Sequence, residues 1–231
     1  MFWLLPATMF LIVLRAHIVR VVLGSGAFSW DDTRLTAALL ALFCVSLAAQ
    51  AAILAFSRAY YAAGKSVLPI VLNVGGSLVA VALAFVFTVR IDAAPILKYF
   101  VESLLRVADV PGTAVLMIPA AYSLTLLGVA LIFALLFART YGFDRSVLPS
   151  LGASFSASVI GAGVTYAALQ AFGPLLPTNT FLGIFAQGAG AATMGLLAWI
   201  VVLTLMKSTE LKDVLSITRA RISRYGQNTH S

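Results

Sequence analysis

Side chains that could carry acid–base or metal chemistry are few in this sequence, and they lie far apart. His17 and His230 have no cysteine, acidic residue or second histidine at a metal-site spacing. The adjacent carboxylates Asp31 and Asp32 precede an apolar run, where acids more often cap a helix than act as catalysts. No H-E-x-x-H helix, G-x-S-x-G turn or P-loop occurs in the chain. The sequence therefore predicts a protein that is not an enzyme and that binds no metal or cofactor.

The other polar candidates are amides inside long apolar runs, namely Gln50, Asn73, Gln170 and Gln187. We favour hydrogen bonding between helices over ligand contact as their role, because that is the commoner use of amides in a membrane. An ionisable residue within a span would mark a functional site. The first apolar run contains Arg15, His17 and Arg20, whereas the last five contain none, so those five offer no candidate for a proton relay or for ion coupling.

Composition indicates that lipid is the solvent for most of this chain. Hydrophobic residues make up 61% and charged residues 10%, against roughly 25% charged in a soluble domain. Apolar runs of about 20 residues predict helices that cross a bilayer. The expected fold is all-α and polytopic, with six transmembrane helices in one domain over residues 1–206. Their predicted bounds are 4–23, 35–57, 67–89, 113–137, 151–172 and 181–206.

The first run is short for a transmembrane helix, because only about a dozen apolar residues precede Arg15. Either Arg15 and Arg20 extend to a nearby interface, or the helix continues upstream of Met1. The second interpretation would make the chain the C-terminal piece of a longer protein.

Two further segments are predicted to lie along the membrane surface. In residues 96–107, Lys98, Glu102 and Arg106 recur at every fourth position, which predicts an ion-paired outer face opposite an apolar one. Residues 207–231 form a predicted amphipathic tail with a disordered end.

The distribution of basic residues predicts the orientation in the membrane. One side carries nine basic and three acidic residues, and the other carries five of each. The nine are Arg58, Lys65, Arg139, Arg145, Lys207, Lys212, Arg219, Arg221 and Arg224. We expect that side, with both termini, to be cytoplasmic. The net charge of +7 is then a topology signal beside anionic lipid and not a nucleic-acid site.

Small residues are concentrated in the last two predicted helices, from Gly152 to Gly163 and from Gly183 to Gly195. Close helix packing is the favoured explanation. The alternative is a smooth surface that accommodates a lipid tail or slides during alternating access.

Two segments resemble the MurJ/MviN family of lipid II flippases. Residues 18–28 read I-V-R-V-V-L-G-S-G-A-F, similar to the family segment I-V-R-L-L-F-x-x-G-A-F. Residues 57–64 read S-R-A-Y-Y-A-A-G, similar to the family loop A-x-A-F-Y-A-x-G-D-T-R-T-P, with Pro69 near the family proline. Residues 65–68 depart from that loop, and the 96–107 insert is additional.

The resemblance implies that the six spans correspond to helices nine to fourteen of a fourteen-helix fold of the multidrug/oligosaccharidyl-lipid/polysaccharide exporter superfamily. It implies movement of lipid II, the undecaprenyl-linked peptidoglycan precursor, across the bacterial cytoplasmic membrane by alternating access in cell-wall biogenesis. An N-terminal lobe, on the same or a separate chain, would be a partner. The last two helices would form the apolar groove for the undecaprenyl tail. The headgroup contacts expected within this chain are Arg15, Arg20 and Arg58, for which extension to the interface is the favoured alternative.

Two other functions remain open at this point. The chain could belong to an exporter of another polyprenyl-linked glycan, or it could be a membrane scaffold that kept the fold without the transport activity.

Overall fold

The computed structural model describes residues 2–24, 28–142, 147–175 and 180–206. They form seven helices: α1 Leu4–Leu23, α2 Trp30–Ala62, α3 Val67–Arg90, α4 Pro95–Leu105, α5 Met117–Tyr141, α6 Val147–Phe172 and α7 Phe181–Leu205. Short 3₁₀ turns at Ile91–Ala93 and Thr113–Leu116 flank the α4 region. All of these helices except α4 are long and apolar enough to cross a membrane. The predicted all-α, six-span class is confirmed, and the predicted tail 207–231 lies outside the described residues.

Helix α2 is longer at both ends than its apolar run. It begins at Trp30 because the Ser29 side chain accepts a hydrogen bond from the Asp32 amide while the Asp32 carboxylate accepts from the Ser29 amide. It ends at Ala62, so its 33 residues extend about 50 Å at 1.5 Å per residue. A hydrocarbon core is about 30 Å thick, so α2 projects beyond it.

The helices pack as two groups joined by α1. Helices α2 and α3 both pack along α5 but scarcely touch each other, while α6 and α7 form the most extensive helix pair. Helix α1 packs against α2 on one side and against α6 and α7 on the other. Helices α2 and α5 run parallel. In their N-terminal halves the Ser123 hydroxyl donates to the Leu42 carbonyl at 2.6 Å, and at their C-terminal ends the rings of Tyr60 and Tyr141 lie 6.0 Å apart.

The predicted ion-paired outer face of the 96–107 segment is wrong. Glu102 is buried and accepts a hydrogen bond from the Thr113 hydroxyl, and Lys98 pairs with Asp92 at 2.7 Å. The helix ends at Leu105, and Arg106 takes a left-handed conformation with φ 60°. Most of the exposed side chains of the helix are apolar, namely Ile96, Leu97, Phe100 and Leu104, and Tyr99 and Ser103 are exposed beside them. Helix α4 therefore turns its charged side toward the protein and its apolar side outward, the arrangement that a lipid interface favours.

Arg34, at the start of α2, binds the linker that follows α4, at Arg106 and Asp109. Its guanidinium forms two hydrogen bonds with the Asp109 carboxylate, at 2.7 and 2.6 Å, and also donates to the Arg106 carbonyl. The hydrogen bond from Arg34 lowers the pKa of the Asp109 carboxyl. On the other side of α4, the hydrogen bond to Asp92 raises the pKa of Lys98. The linker is thus held to α2 by a bidentate ion pair between Arg34 and Asp109.

Candidate substrate-binding site

Arg15 is the first of the three arginines expected to contact a headgroup. It lies on α1, where its side chain is half-buried and donates only a long hydrogen bond, 3.5 Å, to the Ile12 carbonyl of its own helix. No carboxylate of the described chain lies within 4 Å of its guanidinium. A half-buried guanidinium without a carboxylate is a candidate for binding an anionic group.

Arg20, in the last turn of α1, has its hydrogen bonds within the protein. It donates to the Phe28 carbonyl and to the Thr33 hydroxyl, both at 3.3 Å, and its guanidinium lies 5.9 Å from the centre of the Trp30 ring. These contacts hold the end of α1 to the start of α2. A basic residue there also stabilises the C-terminal end of the helix dipole.

Arg58 is far from the other two arginines. It is exposed on α2, 25 residues after Thr33, which corresponds to about 37 Å along a helix. Arg20 bonds to Thr33, so Arg20 and Arg58 lie at opposite ends of α2. The three arginines do not form one site in this structure, and their contact with substrate stays a prediction.

An apolar groove runs between α1 and α7. It has a volume of about 250 Å³ and is lined by Leu14, His17, Ile18, Val21, Val22, Ile184, Phe185, Gly188, Ala189 and Ala192. His17 is the polar exception: its buried Nδ1 has no hydrogen-bond partner among the described residues. No cluster of three potential metal ligands occurs in the described part of the chain.

Glycines on α6 and α7 allow these helices to approach closely. A Cβ on Gly195 would lie 1.8 Å from the Thr165 hydroxyl and 2.9 Å from the Gly161 carbonyl. A Cβ on Gly161 would lie 3.1 Å from the Gly195 carbonyl. By contrast, a Cβ on Gly152 or Gly163 would meet nothing within 4 Å. Close packing therefore explains the first pair of glycines, and the second pair lies on an open surface.

A second and larger cavity lies in the groove between α2 and α3. Its volume is about 600 Å³, and its lining is Leu4, Leu47, Gln50, Ala51, Ile53, Leu54, Ser57, Tyr61, Asn73, Tyr122 and Leu126. We call it the α2–α3 groove; Tyr122 and Leu126 of α5 form part of its wall. No lining residue is charged at neutral pH.

The expected role of the span amides, bonding between helices, holds for one of them and fails for the others. Gln187 on α7 donates to the Leu169 carbonyl of α6 at 3.1 Å. Gln170 donates to the Tyr166 hydroxyl of its own helix. Gln50 donates to the Ser46 hydroxyl and Asn73 to the Pro69 carbonyl, again each within one helix. Both of these amides line the α2–α3 groove instead of joining two helices.

Three polar residues of this groove were not identified from the sequence: Ser57, Tyr61 and Tyr122. A signal was available, because Gln50, Ser57 and Tyr61 are separated by seven and four residues and therefore share one face of α2.

Residues 1–97 match the family model of the lipid II flippase MurJ. Neither the curated proteins nor the solved structures contain a match to this chain. The resemblance noticed in the sequence is thereby confirmed over these residues.

The MurJ match covers α1, α2 and α3 and ends within α4, whose last residue is Leu105. It therefore includes Arg15, Arg20 and Arg58 and most of the polar lining of the α2–α3 groove. Together with six apolar helices, the match describes a multi-pass membrane protein whose residues 1–97 are similar to the lipid II flippase MurJ.

Proposed function

We propose that this chain acts as the C-terminal portion of a lipid II flippase of the bacterial cytoplasmic membrane. The observation that carries the proposal is the MurJ family match over residues 1–97, which ends in the α3–α4 region of a six-span helical bundle. The six spans would correspond to helices nine to fourteen of the family fold. The chain would move the lipid-linked precursor between leaflets by alternating access, as a transporter without covalent chemistry and not as an enzyme.

The division of labour within the bundle follows from its surfaces. The apolar α1–α7 groove, with no charged lining residue, suits the undecaprenyl tail. Arg15 suits the pyrophosphate, because it is half-buried and bonds only to a carbonyl of its own helix. Arg58 would act near the other end of α2, and Arg20, whose hydrogen bonds lie within the protein, would hold the end of α1 to the start of α2. An N-terminal lobe on the same or a separate chain would supply the facing half of the cavity.

Orientation is part of the same proposal. The side with nine basic residues, which includes Arg58 and Lys65 at the α2–α3 turn, would face the cytoplasm with the C-terminus. Helix α4 would then lie on the outer surface with its apolar side chains in the lipid.

Complementation tests this function. Cells depleted of their own lipid II flippase would receive this chain alone or together with the eight upstream helices of a family member. Outward transport would be measured as the fraction of lipid II cleaved by a lipid II-degrading enzyme added outside the cells. We expect rescue and outward lipid II only when both halves are present.

The same two halves carrying Arg15→Gln, made in equal amount in the membrane, provide the comparison that tests the proposed contact between Arg15 and the pyrophosphate. No rescue by the unaltered pair despite good membrane expression would refute the lipid II assignment and would favour an exporter of another polyprenyl-linked glycan. Lack of any association between the two halves would favour a scaffold.

A further inference from the structure

The α2–α3 groove combines features that helix packing alone does not explain. Helices α2 and α3 scarcely touch, although both pack on α5. The space between them is lined by hydroxyl and amide side chains from three helices: Gln50, Ser57 and Tyr61 from α2, Asn73 from α3 and Tyr122 from α5. Polar groups are costly in a hydrocarbon environment unless they are bonded. Their convergence on one cavity therefore calls for a polar occupant.

Ser57 gives the most direct sign of an unfilled hydrogen-bonding position. Its side chain is only 6% exposed, and its hydroxyl oxygen is buried without a partner in the described chain. Several hydroxyls of the spans bond back to a carbonyl of their own helix, as Ser77, Thr88 and Thr125 do, whereas Thr8 and Ser154 share with Ser57 the lack of a partner among the described residues but do not line the groove. Ser57 lacks such a bond and lines the groove.

The two amides of the groove use only part of their hydrogen-bonding capacity. Gln50 and Asn73 direct their NH₂ groups to their own helices, to the Ser46 hydroxyl and to the Pro69 carbonyl at 2.8 Å each. Their side-chain carbonyl oxygens accept no hydrogen bond within the described residues and remain as acceptors. With the hydroxyls of Tyr61 and Tyr122, the groove offers both donors and acceptors.

The lining also indicates what the occupant is not. No lysine, arginine, histidine or carboxylate is among the eleven lining residues, so a phosphate would find no countercharge and a cation no carboxylate. The apolar lining, Leu47 and Leu54 among it, and the tyrosine rings would contact non-polar faces of the occupant. An uncharged polyol with apolar C–H faces, which is the chemistry of a sugar, fits this mixture.

The polar side chains that α2 contributes to the groove follow one another along the axis of that helix. Gln50, Ser57 and Tyr61 share one face of α2 and span about 16 Å along the helix at 1.5 Å per residue. That is about half of a hydrocarbon core of roughly 30 Å. A sugar could exchange one hydrogen-bonding group for the next as it moves along the membrane normal.

We propose that the α2–α3 groove binds the uncharged sugar portion of the lipid-linked substrate. This inference rests on the proposed flippase function and assigns a substrate part to residues outside the arginine set. Arg15 would contact the anionic link, and the groove would contact the glycan.

Equilibrium binding to two lipids tests the inference. The purified full chain in nanodiscs would be titrated with lipid II and, separately, with undecaprenyl pyrophosphate, which lacks the sugars, and read out by native mass spectrometry. The groove variant combines Gln50→Leu with Ser57→Ala. The matched control combines Gln170→Leu with Thr193→Ala, which removes an amide and a hydroxyl from span positions outside the groove.

We expect the unaltered chain to bind lipid II more tightly than undecaprenyl pyrophosphate. The groove variant should bind lipid II about tenfold more weakly, because each lost neutral hydrogen bond weakens binding by roughly threefold to fivefold. Its affinity for undecaprenyl pyrophosphate, and both affinities of the control, should change less than twofold. An undiminished preference of the groove variant for lipid II would overturn the groove inference and leave the flippase proposal standing. Binding of neither lipid by the unaltered chain would overturn the groove inference, whereas the complementation test with both halves decides the flippase proposal.

A crosslinking measurement avoids dependence on the folding of the double variant. A photoreactive amino acid would replace Leu54, which lines the groove, or Leu78, which is exposed on α3 outside it. We expect light-dependent crosslinks to the sugar part of lipid II from position 54 and none from position 78. Crosslinks from position 54 to protein alone would show that another helix fills the groove, and they would overturn the inference.

Discussion

Replacement of Gly195 by alanine is the sharpest test of how α6 and α7 are held together. In this interface a Cβ on Gly195 would overlap the Thr165 hydroxyl at 1.8 Å and approach the Gly161 carbonyl at 2.9 Å. Ordinary contacts begin near 3.4 Å. The Thr165 hydroxyl is itself held by a 2.9 Å hydrogen bond to the Gly161 carbonyl, so rotating it away from a new methyl group would break that bond. The Gly161 carbonyl would still lie only 2.9 Å from the new Cβ, so the two helices must shift apart to relieve that contact.

The expected cost follows from two opposing effects. Overpacking a close interface destabilises by about 1–3 kcal/mol, whereas alanine favours a helix over glycine by up to about 1 kcal/mol. We expect the Gly195→Ala protein to lose about 1–2 kcal/mol of unfolding free energy. Gly163→Ala on α6 is the matched control, because a Cβ there meets nothing within 4 Å. It should be neutral or slightly stabilising.

Reversible unfolding in mixed detergent micelles provides the measurement. Trp199 is buried on α7, and a Cβ on Gly161 of α6 would lie 3.1 Å from the Trp199 Cβ, so its fluorescence should report separation of the two helices. Adding Thr165→Ala to Gly195→Ala removes the closest clash and should recover about half of the loss. If Gly195→Ala were as stable as the unaltered protein, or if Gly163→Ala lost as much, the close-packing argument would be refuted.

Three other predictions concern single contacts. Asp109→Asn should increase hydrogen exchange in the linker after α4, and in the unaltered protein the same increase should appear only as pH falls below about 4. The sign follows because Arg34 lowers the pKa of Asp109: the stabilisation by this ion pair is complete above the pKa of the unfolded state and is lost as the folded carboxyl takes up a proton. Hydrogen exchange in the linker that shows no such increase down to pH 2 would contradict this prediction. Gln187→Leu should destabilise the α6–α7 pair by about 1 kcal/mol in the same detergent unfolding, through loss of the bond to the Leu169 carbonyl; no change would mean that the bond contributes nothing. Arg20→Gln should raise hydrogen exchange at residues 28–33 while leaving the affinity for undecaprenyl pyrophosphate within twofold, and a large loss of affinity would instead assign Arg20 to the substrate.

The sequence predicted the membrane helices well because a hydrocarbon core imposes a strong requirement on them. A span must remain apolar over about 20 residues, and that pattern is visible without any tertiary information. The ends of α2 were less visible, since Ser29 and Asp32 extend the helix into polar sequence by capping it. Capping is local, however, and the Ser29-x-x-Asp32 spacing is a readable signal.

The orientation of α4 could not be read from its own sequence. Its periodicity separates a charged side from an apolar side, and the same pattern fits a helix that turns either side outward. The choice depends on Thr113, which bonds to Glu102 from the turn before α5, and on Asp92, which binds Lys98. Both partners lie outside the helix, so only the folded linker decides which side is covered.

The span amides show a similar limit at the candidate site. A glutamine or asparagine in a span must bond to something, and the sequence does not show whether the partner is another helix, as for Gln187, or its own, as for Gln50 and Asn73. The distinction matters because an amide that bonds within its own helix keeps its other atoms for an adjacent cavity.

The two helix groups meet different physical demands with different residues. Between α6 and α7, paired glycines bring backbone against backbone and leave no room for a ligand. Helices α2 and α3 scarcely touch, and their separation is maintained because each packs along α5. The groove between them is therefore formed before any ligand arrives, which lowers the ordering cost of binding. An uncharged polar groove along α2 would let the uncharged sugar portion exchange one neutral hydrogen bond for another, while the anionic link is left to the Arg15 guanidinium.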